Sequence, residues 1–557
     1  MITNDEIAAQ FSLLAKLMDI HGENAFKAKS YAAAAFSVDK LPTQLAEMDR
    51  NSIFSIKGIG ESAGKRILEI LDTGQLATLN EMVQKTPPGI LEMLSIKGIG
   101  PKKIATIWKE LEIETLGELL YACNENRLTL YKGFGEKTQQ NIKEAIEFYM
   151  GSMGRYLYQQ VEEFQMELEK LLSVSLPYQF ILTGEFRRQL EIIDSIDWVT
   201  NAKAETLSSF LQDIGFSVVK QNNHSINFRN EKNIRLQFWL ADEQTLPTVL
   251  FKTSCSELFF KEWSKINGWD DTKNYAEEKS IFEQAACPFI PACMREDSEI
   301  INLAKENKIK PTITESDIKG IIHSHSTWSD GGNTIQQMAE AAIKEGLEYL
   351  VISDHSKSAF YANGLSIERV LQQHQEIEKL NQQLAPFKIF KSIESDILND
   401  GGLDYPNEIL TQFDLVIASV HSNLKMNEEK ANARVIKAIE NKYTNILGHP
   451  TGRLLLSRAG YPIDHERIID ACAANGVVIE LNAHPRRLDL DWRWIRRALQ
   501  KNVLISINPD AHTIDGFKDC KYGVLVAQKA GLTPLQNLSS FTLLQLETFI
   551  LNQKQKH

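Results

Sequence analysis

Short runs of β-branched and apolar residues alternate with helical stretches from residue 317 to the C-terminus. In chain order the runs are KGIIHSH, LEYLVISDH, KIFKSIESD, LVIASVHS, TNILGHP, GVVIELNAH and VLISINPDAH. Their apolar residues are nearly continuous, which is typical of strands buried on both faces of a parallel sheet. Seven successive β-then-α units therefore predict a parallel α/β sheet that is closed or nearly closed into a barrel.

Metal-binding side chains fall at or just beyond the ends of these predicted strands. Side chains two residues apart in a strand share a face, so two such side chains can bind the same ion. All strand C-termini of a parallel barrel open on one side, where the whole set is expected to meet. A single strand-end histidine is commonly an ordinary loop residue, but chance is a poor explanation for so many. The set is His323, His325, Asp330, His355, Glu394, His421, His449, Asp510 and His512.

Three further histidines lie between His325 and His512 and stand outside that pattern. His374 and His465 lie in helical stretches and are expected to be surface residues, and the role of His484 in NAHPRR is left open.

Six imidazoles with three carboxylates suit Zn²⁺, Mn²⁺ or Fe²⁺ better than the all-oxygen shells that Mg²⁺ and Ca²⁺ prefer. Nine ligands are enough for two or three ions, with Glu394 placed to bridge them. Such a pocket would be electropositive and would fit an anionic phosphoryl substrate. Lys357, Arg453 and Arg487 are candidate phosphate-binding residues, with the alternative that each is a solvated surface cation.

The motifs HSHSTWSDG, VISDHS, IESDIL, DLVIASVHS, LGHPTGR and PDAH resemble those of the polymerase and histidinol phosphatase (PHP) domain, from about residue 317 to 550. LDYPNEIL and RRLDLD resemble the version attached to bacterial family X DNA polymerases. The resemblance implies a distorted seven-stranded barrel and a 3′–5′ exonuclease, usually favoured by Mn²⁺. It also implies a trinuclear site, with His323, His325, Glu394 and Asp510 on one catalytic metal, Asp330, His355 and His512 on a second, and Glu394, His421 and His449 on a third.

Residues 1–150 show helical periodicity throughout and contain an internal repeat, SIKGIG, whose copies begin 40 residues apart at Ser55 and Ser95. KGFG at 132–135 is a weaker echo. A glycine-containing turn before a helix resembles the helix-hairpin-helix motif, in which N–H groups at the helix start meet a DNA phosphate. Such contacts read the backbone, so binding independent of base sequence is expected. The predicted DNA-binding residues are Gly58, Gly60, Gly98, Gly100 and Lys102.

LTGEFRRQLEIIDSIDWV (182–199) resembles the palm motif of family X polymerases, which reads Gly-Ser, two arginines and then Asp-x-Asp. Glu185 replaces the serine, Ser195 stands at the first catalytic aspartate, and Arg235 at the third. Nucleotidyl transfer needs clustered carboxylates for two Mg²⁺ ions, so template-directed synthesis is expected to be lost. The alternative is an alignment displaced by one residue. The degenerate site comprises Gly184, Arg187, Ser195, Asp197 and Arg235.

The net charge of −12 leaves the partner open, because backbone N–H groups and bound metals can contact phosphate without changing that count. Six scattered cysteines without a CxxC pair indicate reduced thiols in the cytoplasm. No stretch reaches the ~20 apolar residues of a membrane span. We expect a cytoplasmic monomer that binds gapped, nicked or 3′-ended DNA.

The chain is thus expected to be multidomain. The predicted segments are a lyase-like helical subdomain (1–80), a fingers-like helical subdomain (81–150), a nucleotidyltransferase-like palm (151–240), a thumb-like subdomain (241–300), a linker (301–316) and the PHP domain (317–557). The leading hypothesis is a DNA repair-type, Mn²⁺-dependent 3′–5′ exonuclease or 3′-end phosphatase. The alternatives are an active gap-filling polymerase with exonuclease activity and a small-molecule phosphatase of the histidinol phosphatase type.

Overall fold

The computed structural model describes residues 2–124, 127–152, 154–271, 273–456 and 459–555. The chain divides into two compact units, 1–153 and 154–557. Within the described residues, no helix combines the length and apolar character needed to cross a membrane.

The first unit is built from short helices around one apolar core. Its first helix begins with a capping box, in which Thr3 and Glu6 satisfy each other's backbone N–H groups, and it ends at Gly22 in the left-handed conformation. Helix-starting glycines recur further along the unit. The helices are α1 (Asn4–His21), α2 (Ala25–Asp39), α3 (Glu61–Thr73), α4 (Ala77–Gln84), α5 (Pro88–Met93), α6 (Pro101–Lys109), α7 (Leu116–Asn124) and α8 (Glu136–Ser152).

The second unit begins with the palm-like and thumb-like segments. A five-stranded mixed sheet has the order β2-β4-β7-β6-β5, and β1 pairs with β3. The following helices enclose an aromatic cluster that includes Phe251, Trp263 and Phe282. The elements are β1 (Tyr156–Leu157), α9 (Tyr158–Ser175), β2 (Phe180–Thr183), α10 (Gly184–Arg187), β3 (Ile192–Ile193), β4 (Ile196–Thr200), α11 (Ala204–Asp213), β5 (Phe216–Gln221), β6 (Ser225–Asn230), β7 (Arg235–Leu240), α12 (Leu246–Thr253), α13 (Glu257–Asn267), α14 (Glu278–Gln284) and α15 (Glu299–Lys305).

The segment predicted as a linker is partly ordered. Helix α15 covers its first residues, and Ile313 is buried, with its N–H donating to the carbonyl of Leu532. The boundaries given above for the individual segments remain predictions.

The C-terminal part of the second unit is a seven-stranded parallel sheet whose strands follow chain order. Successive residues of one strand enter different apolar clusters, as Tyr349 and Leu350 do, so both faces are buried. The elements are β8 (Gly320–Ser324), α16 (Ile335–Lys344), β9 (Tyr349–Ile352), α17 (Ile367–Leu384), β10 (Lys388–Asp396), α18 (Asn407–Leu410), β11 (Leu415–Ser419), α19 (Glu428–Ile439), β12 (Ile446–Leu447), α20 (His465–Asn475), β13 (Val478–Asn482), α21 (Trp492–Gln500), β14 (Ile505–Asn508), α22 (Cys520–Lys529) and α23 (Leu543–Lys554).

The first and last strands of this sheet approach each other. A parallel bridge joins Ser324 to Ala511, and the N–H of His325 donates to the carbonyl of Ala511 at 2.8 Å. The sheet is therefore a nearly closed barrel, and the predicted fold class is confirmed.

Candidate metal centre and nucleic-acid interface

The nine predicted metal-binding side chains meet at the carboxyl ends of the barrel strands. Glu394, at the end of β10, lies at their centre and is 1% exposed. Its carboxylate oxygens lie close to nitrogens of five imidazoles. The N···O distances are 2.9 Å to His449, 3.0 Å to His355, 3.1 Å to His421, 3.2 Å to His323 and 3.7 Å to His325.

Asp330 and His512 form the outer rim of the same cluster. Their side chains are 30% and 41% exposed, and Asp330 Oδ2 lies 3.4 Å from His512 Nε2 and 3.7 Å from His355 Nε2. Three groups of residues bring their ligand atoms within 4.8 Å of one another. These groups are His325, Asp330, His355 and His512; His323, His325 and Asp510; and His355, Glu394 and His421.

The donor atoms of the centre fit divalent cations. His323 Nε2, His325 Nδ1 and Glu394 Oε2 are buried and have no hydrogen-bond partner of good geometry in the described part of the chain. Buried polar atoms of this kind call for a partner such as an ion. Burial raises the pKa of the Glu394 and Asp510 carboxyls, but the surrounding imidazoles outweigh it and hold both pKa values well below the ordinary range. In this ionised form both carboxylates can bind a cation.

Three of the predicted ligand positions have a left-handed backbone although none is glycine. The φ angles are 65° at His323, 21° at His449 and 53° at Asp510. For residues with a Cβ this conformation costs roughly 1–2 kcal/mol each. Such strain persists where surrounding contacts over-determine it, most often at functional sites. At His323 it also coincides with an irregularity in the pairing of β8 with β9.

Two carboxylates that were not predicted from the sequence accept hydrogen bonds from histidines of the centre. Asp396 Oδ1 accepts a hydrogen bond from His421 Nδ1 at 3.0 Å, and Glu480 Oε2 accepts one from His323 Nδ1 at 2.6 Å. Such contacts orient a ring toward a metal. The signal for Glu480 was present in the sequence as an acid within the apolar run GVVIELNAH.

The three candidate phosphate-binding residues have different surroundings. Lys357 is exposed, with Nζ 5.7 Å from the centre of the Tyr405 ring, and Arg487 Nε lies 3.7 Å from Asp510 Oδ2 at the edge of the centre. Arg453 is bound by other groups of the protein. Its guanidinium donates to Asp491 and to the carbonyls of residues 487 and 488, so its N–H groups clamp a loop.

Of the three histidines outside the predicted ligand set, one differs from the expectation of a surface position. His374 is not a surface residue: it is buried edge-on against Phe413, because α17 turns this face toward the barrel, and burial lowers its pKa to about 4. His465 is half-buried and stacks on Trp494. His484 is half-buried, and its Nδ1 accepts a hydrogen bond from the N–H of Arg486.

In the first unit, three G-x-G turns adopt the same backbone shape. The leading glycine has a φ of 91° at Gly58, 89° at Gly98 and 95° at Gly133, a conformation that favours glycine. The second glycine precedes the helix directly, and neither Gly60 nor Gly100 supplies a side-chain cap. The first N–H groups of α3 are thus available to an anion, and in α6 the N–H of Lys102 is, because Pro101 at the start of that helix has none. Lys102, in the first turn of α6, is exposed.

The palm sheet has few carboxylates where the polymerase aspartates are expected. β4 and β7, both described throughout, are parallel with Asp197 opposite Gln237, and Asp197 is the one acid on the two strands. Ser195 Oγ donates to Asp197 Oδ1 at 2.5 Å, and Arg235 is exposed. Gly184 leaves room for the same carboxylate, because an added Cβ would lie 2.8 Å from it.

The palm arginines are bound to carboxylates of the thumb-like segment. Arg187 makes a two-pronged contact with Glu278, and Arg188 Nε donates to Glu296 at 2.9 Å. The buried ammonium of Lys529, on α22 of the barrel part, donates to the carbonyl of Arg188 at 2.7 Å. These contacts tie three segments of the second unit together.

Replacing Asp197 with asparagine is expected to stabilise the second unit. Burial raises the pKa of this carboxyl to about 6, so its ionised form destabilises the fold progressively as pH rises from about 4 to 6. The variant should therefore gain up to about 3 kcal/mol at pH 7.5 and almost nothing at pH 4. Calorimetric melting at the two pH values measures this. An essential metal-binding role would instead appear as lost activity.

Three known protein-family domains match segments of the two units. Residues 2–76 match the helix-hairpin-helix domain, residues 90–147 match the SAM-like helix-hairpin-helix tandem, and residues 322–484 match the PHP domain. The tandem includes the turn at Gly133, which the sequence showed only as a weak echo of the repeat.

One relative covers nearly the whole chain. It is the DNA polymerase/3′-5′ exonuclease PolX of Bacillus subtilis (strain 168), which is 32% identical over 98% of this chain and 99% of its own length. The chain belongs to the PolX family. The resemblance to bacterial family X polymerases with a C-terminal PHP domain is thereby confirmed, and this PolX member has the helix-hairpin-helix and barrel parts that the sequence predicted.

Other relatives of this PolX member match a smaller part of it. A probable phosphatase of Acetivibrio thermocellus is 33% identical over 29% of this chain and 64% of its own length. A probable phosphatase of Thermoanaerobacter sp. (strain X514) is 28% identical over 38% of this chain and 86% of its own length.

Proposed function

We propose that this protein is a metal-dependent 3′–5′ exodeoxyribonuclease whose PHP barrel hydrolyses DNA phosphodiesters. The observation that carries the proposal is the buried Glu394 carboxylate with five imidazoles around it, in a chain related end to end to a PolX exonuclease. The nine predicted ligands would hold two or three Mn²⁺ or Zn²⁺ ions, or Fe²⁺. Bound ions of this kind lower the pKa of water and stabilise charge developing on a phosphoryl group.

The protein's own residues would position the substrate around this centre. Asp330 and His512, the most exposed ligands, lie where a DNA end would enter. Lys357 and Arg487 are proposed to bind phosphates of the DNA. The hairpins at Gly58–Gly60 and Gly98–Gly100 would bind the DNA backbone through helix N–H groups, without base preference.

Template-directed synthesis is proposed to be lost. Two ions need several carboxylates, whereas the two palm strands offer Asp197 alone, with Ser195 and Arg235 at the other expected positions. The retained palm then serves as a frame. The PolX relative's name, which includes polymerase, makes an active gap-filling enzyme the competing function.

The test is a 5′-labelled primer in a one-nucleotide-gapped duplex, with Mn²⁺ and all four nucleotides. The primer should shorten with the wild type, but neither with the His323→Ala variant nor in EDTA. Lengthening in both proteins would contradict the proposed loss of synthesis and identify a working polymerase.

A small-molecule phosphatase is the second candidate, since the shorter relatives are named probable phosphatases. Phosphate release from histidinol phosphate, measured beside primer shortening at equal enzyme concentration, distinguishes the two. Fast release without shortening would favour the phosphatase. Gapped or nicked DNA as preferred partner, a monomeric state and a cytoplasmic location stay predictions.

A further inference from the structure

Glu480 is an acidic residue in the middle of a buried strand of the barrel. It lies in β13 between Ile479 and Leu481, and its side chain is fully buried. It is not one of the nine expected ligands. A carboxylate so deep in a protein persists only when hydrogen-bond donors surround it, so its partners indicate its role.

Four donors meet the two oxygens of this carboxylate. Oε2 accepts hydrogen bonds from His323 Nδ1 at 2.6 Å and from Asn508 Nδ2 at 2.7 Å. Oε1 accepts them from the backbone N–H of His449 at 3.0 Å and from Asn482 Nδ2 at 3.1 Å. One side chain thus contacts ligand-bearing segments from two different strands of the barrel.

The contacts of Glu480 coincide with the strained backbone of the centre. His323, His449 and Asp510 are the three ligand positions with positive φ. Glu480 binds the first through its ring and the second through its N–H, and it reaches the third through Asn482, whose Nδ2 also lies 3.1 Å from Asp510 Oδ2. The network therefore joins every ligand whose backbone conformation needs outside support.

We propose that Glu480 is a positioning residue that holds ligands of separate metal ions in one arrangement. By accepting the proton of His323 Nδ1, it selects the ring form in which Nε2 keeps its lone pair. That nitrogen faces the centre, 3.2 Å from Glu394 Oε1. The proposal rests on the proposed function, because it presupposes metal ions at the nine ligands.

The test is the Glu480→Gln variant, which keeps the size of the side chain but turns an NH₂ group toward two of the four donors. Mn²⁺ affinity is measured by the electron paramagnetic resonance signal of free Mn²⁺, and bound metal by elemental analysis. The variant should bind Mn²⁺ roughly 10- to 100-fold more weakly, the effect typical of losing a group that orients a ligand. Asp414→Asn is the matched control, since it makes the same change at the opposite end of the strands.

Melting in EDTA separates positioning from a purely structural role. A structural role lowers the melting temperature of metal-free Glu480→Gln and leaves its Mn²⁺ affinity at the wild-type value, which would overturn the proposal. If this variant does not fold, Asn482→Ala decides, because it breaks the link to Asp510 and leaves three donors on Glu480. Unchanged affinity there would also overturn it. A wild-type protein that binds no Mn²⁺ would contradict the proposed function instead.

Discussion

Replacing Glu394 with glutamine is expected to abolish primer shortening, lowering the rate at least about a thousandfold, or about 4 kcal/mol of transition-state stabilisation. The reason is geometric. This carboxylate lies within 3.2 Å of nitrogens of four histidines, so no other residue is as central to the expected ligand groups. An amide removes the negative charge that would bridge ions and turns an NH₂ group toward them. Single-turnover hydrolysis of a 5′-labelled strand measures the change.

The matched control for Glu394→Gln is Glu378→Gln, which alters an exposed acid paired with Lys391 on the outside of the same barrel. It should cut DNA at the wild-type rate. Both variants should bind gapped DNA as the wild type does, because the hairpins lie in the other unit. Full activity of the Glu394→Gln variant would show that hydrolysis does not take place at the barrel centre.

Changing Gly60 and Gly100 together to aspartate is expected to stabilise the first unit and yet weaken its binding to DNA at least about tenfold. Both glycines are extended N-caps, and a Cβ would meet no atom within 4 Å. Aspartate at such a position adds roughly 0.3 kcal/mol by capping the helix, because glycine is itself a tolerated N-cap. The same carboxylate occupies the N–H groups proposed for phosphate and repels it. Fluorescence anisotropy with gapped DNA, beside thermal melting, measures both effects.

The paired Gly60→Asn and Gly100→Asn variant is the control for charge. Asparagine caps a helix about as well as aspartate but remains neutral, so it should stabilise equally and weaken DNA binding less. If both double variants melt at a higher temperature and bind DNA as the wild type does, the helix N-termini are not the phosphate contacts.

The barrel, and the meeting of the nine predicted ligands at its strand ends, were predictable because two local rules reinforce each other. Apolar continuity in the seven runs identified buried parallel strands, and parallel strands necessarily place their ends together. Glu394 and His421 come from different strands, and their meeting required only that topology. The repeated SIKGIG likewise predicted turns whose left-handed glycines are present at Gly58 and Gly98.

What the sequence did not show depends on contacts between distant segments. Arg453 reads as a free cation in HPTGR, but its partners lie more than 30 residues away. His374 reads as a surface residue because its neighbours in α17 are polar, whereas the packing partner Phe413 comes from a later segment. The positive φ of His323 occurs next to Ser324, which pairs with the distant residue Ala511, and it was equally invisible from local propensity.

The surroundings of Asp197 affect how readily this protein could regain the aspartates expected for synthesis. Regaining the expected aspartates requires changes at Ser195 and Arg235, and Glu185 already places an acid nearby. Ser195 now donates a hydrogen bond to Asp197, so aspartate there would set two carboxylates against each other without a cation. A single change of Ser195 or Arg235 to aspartate is thus expected to destabilise the fold, and only both changes together would supply the expected carboxylates. The proposed loss of synthesis would therefore be hard to reverse by single substitutions.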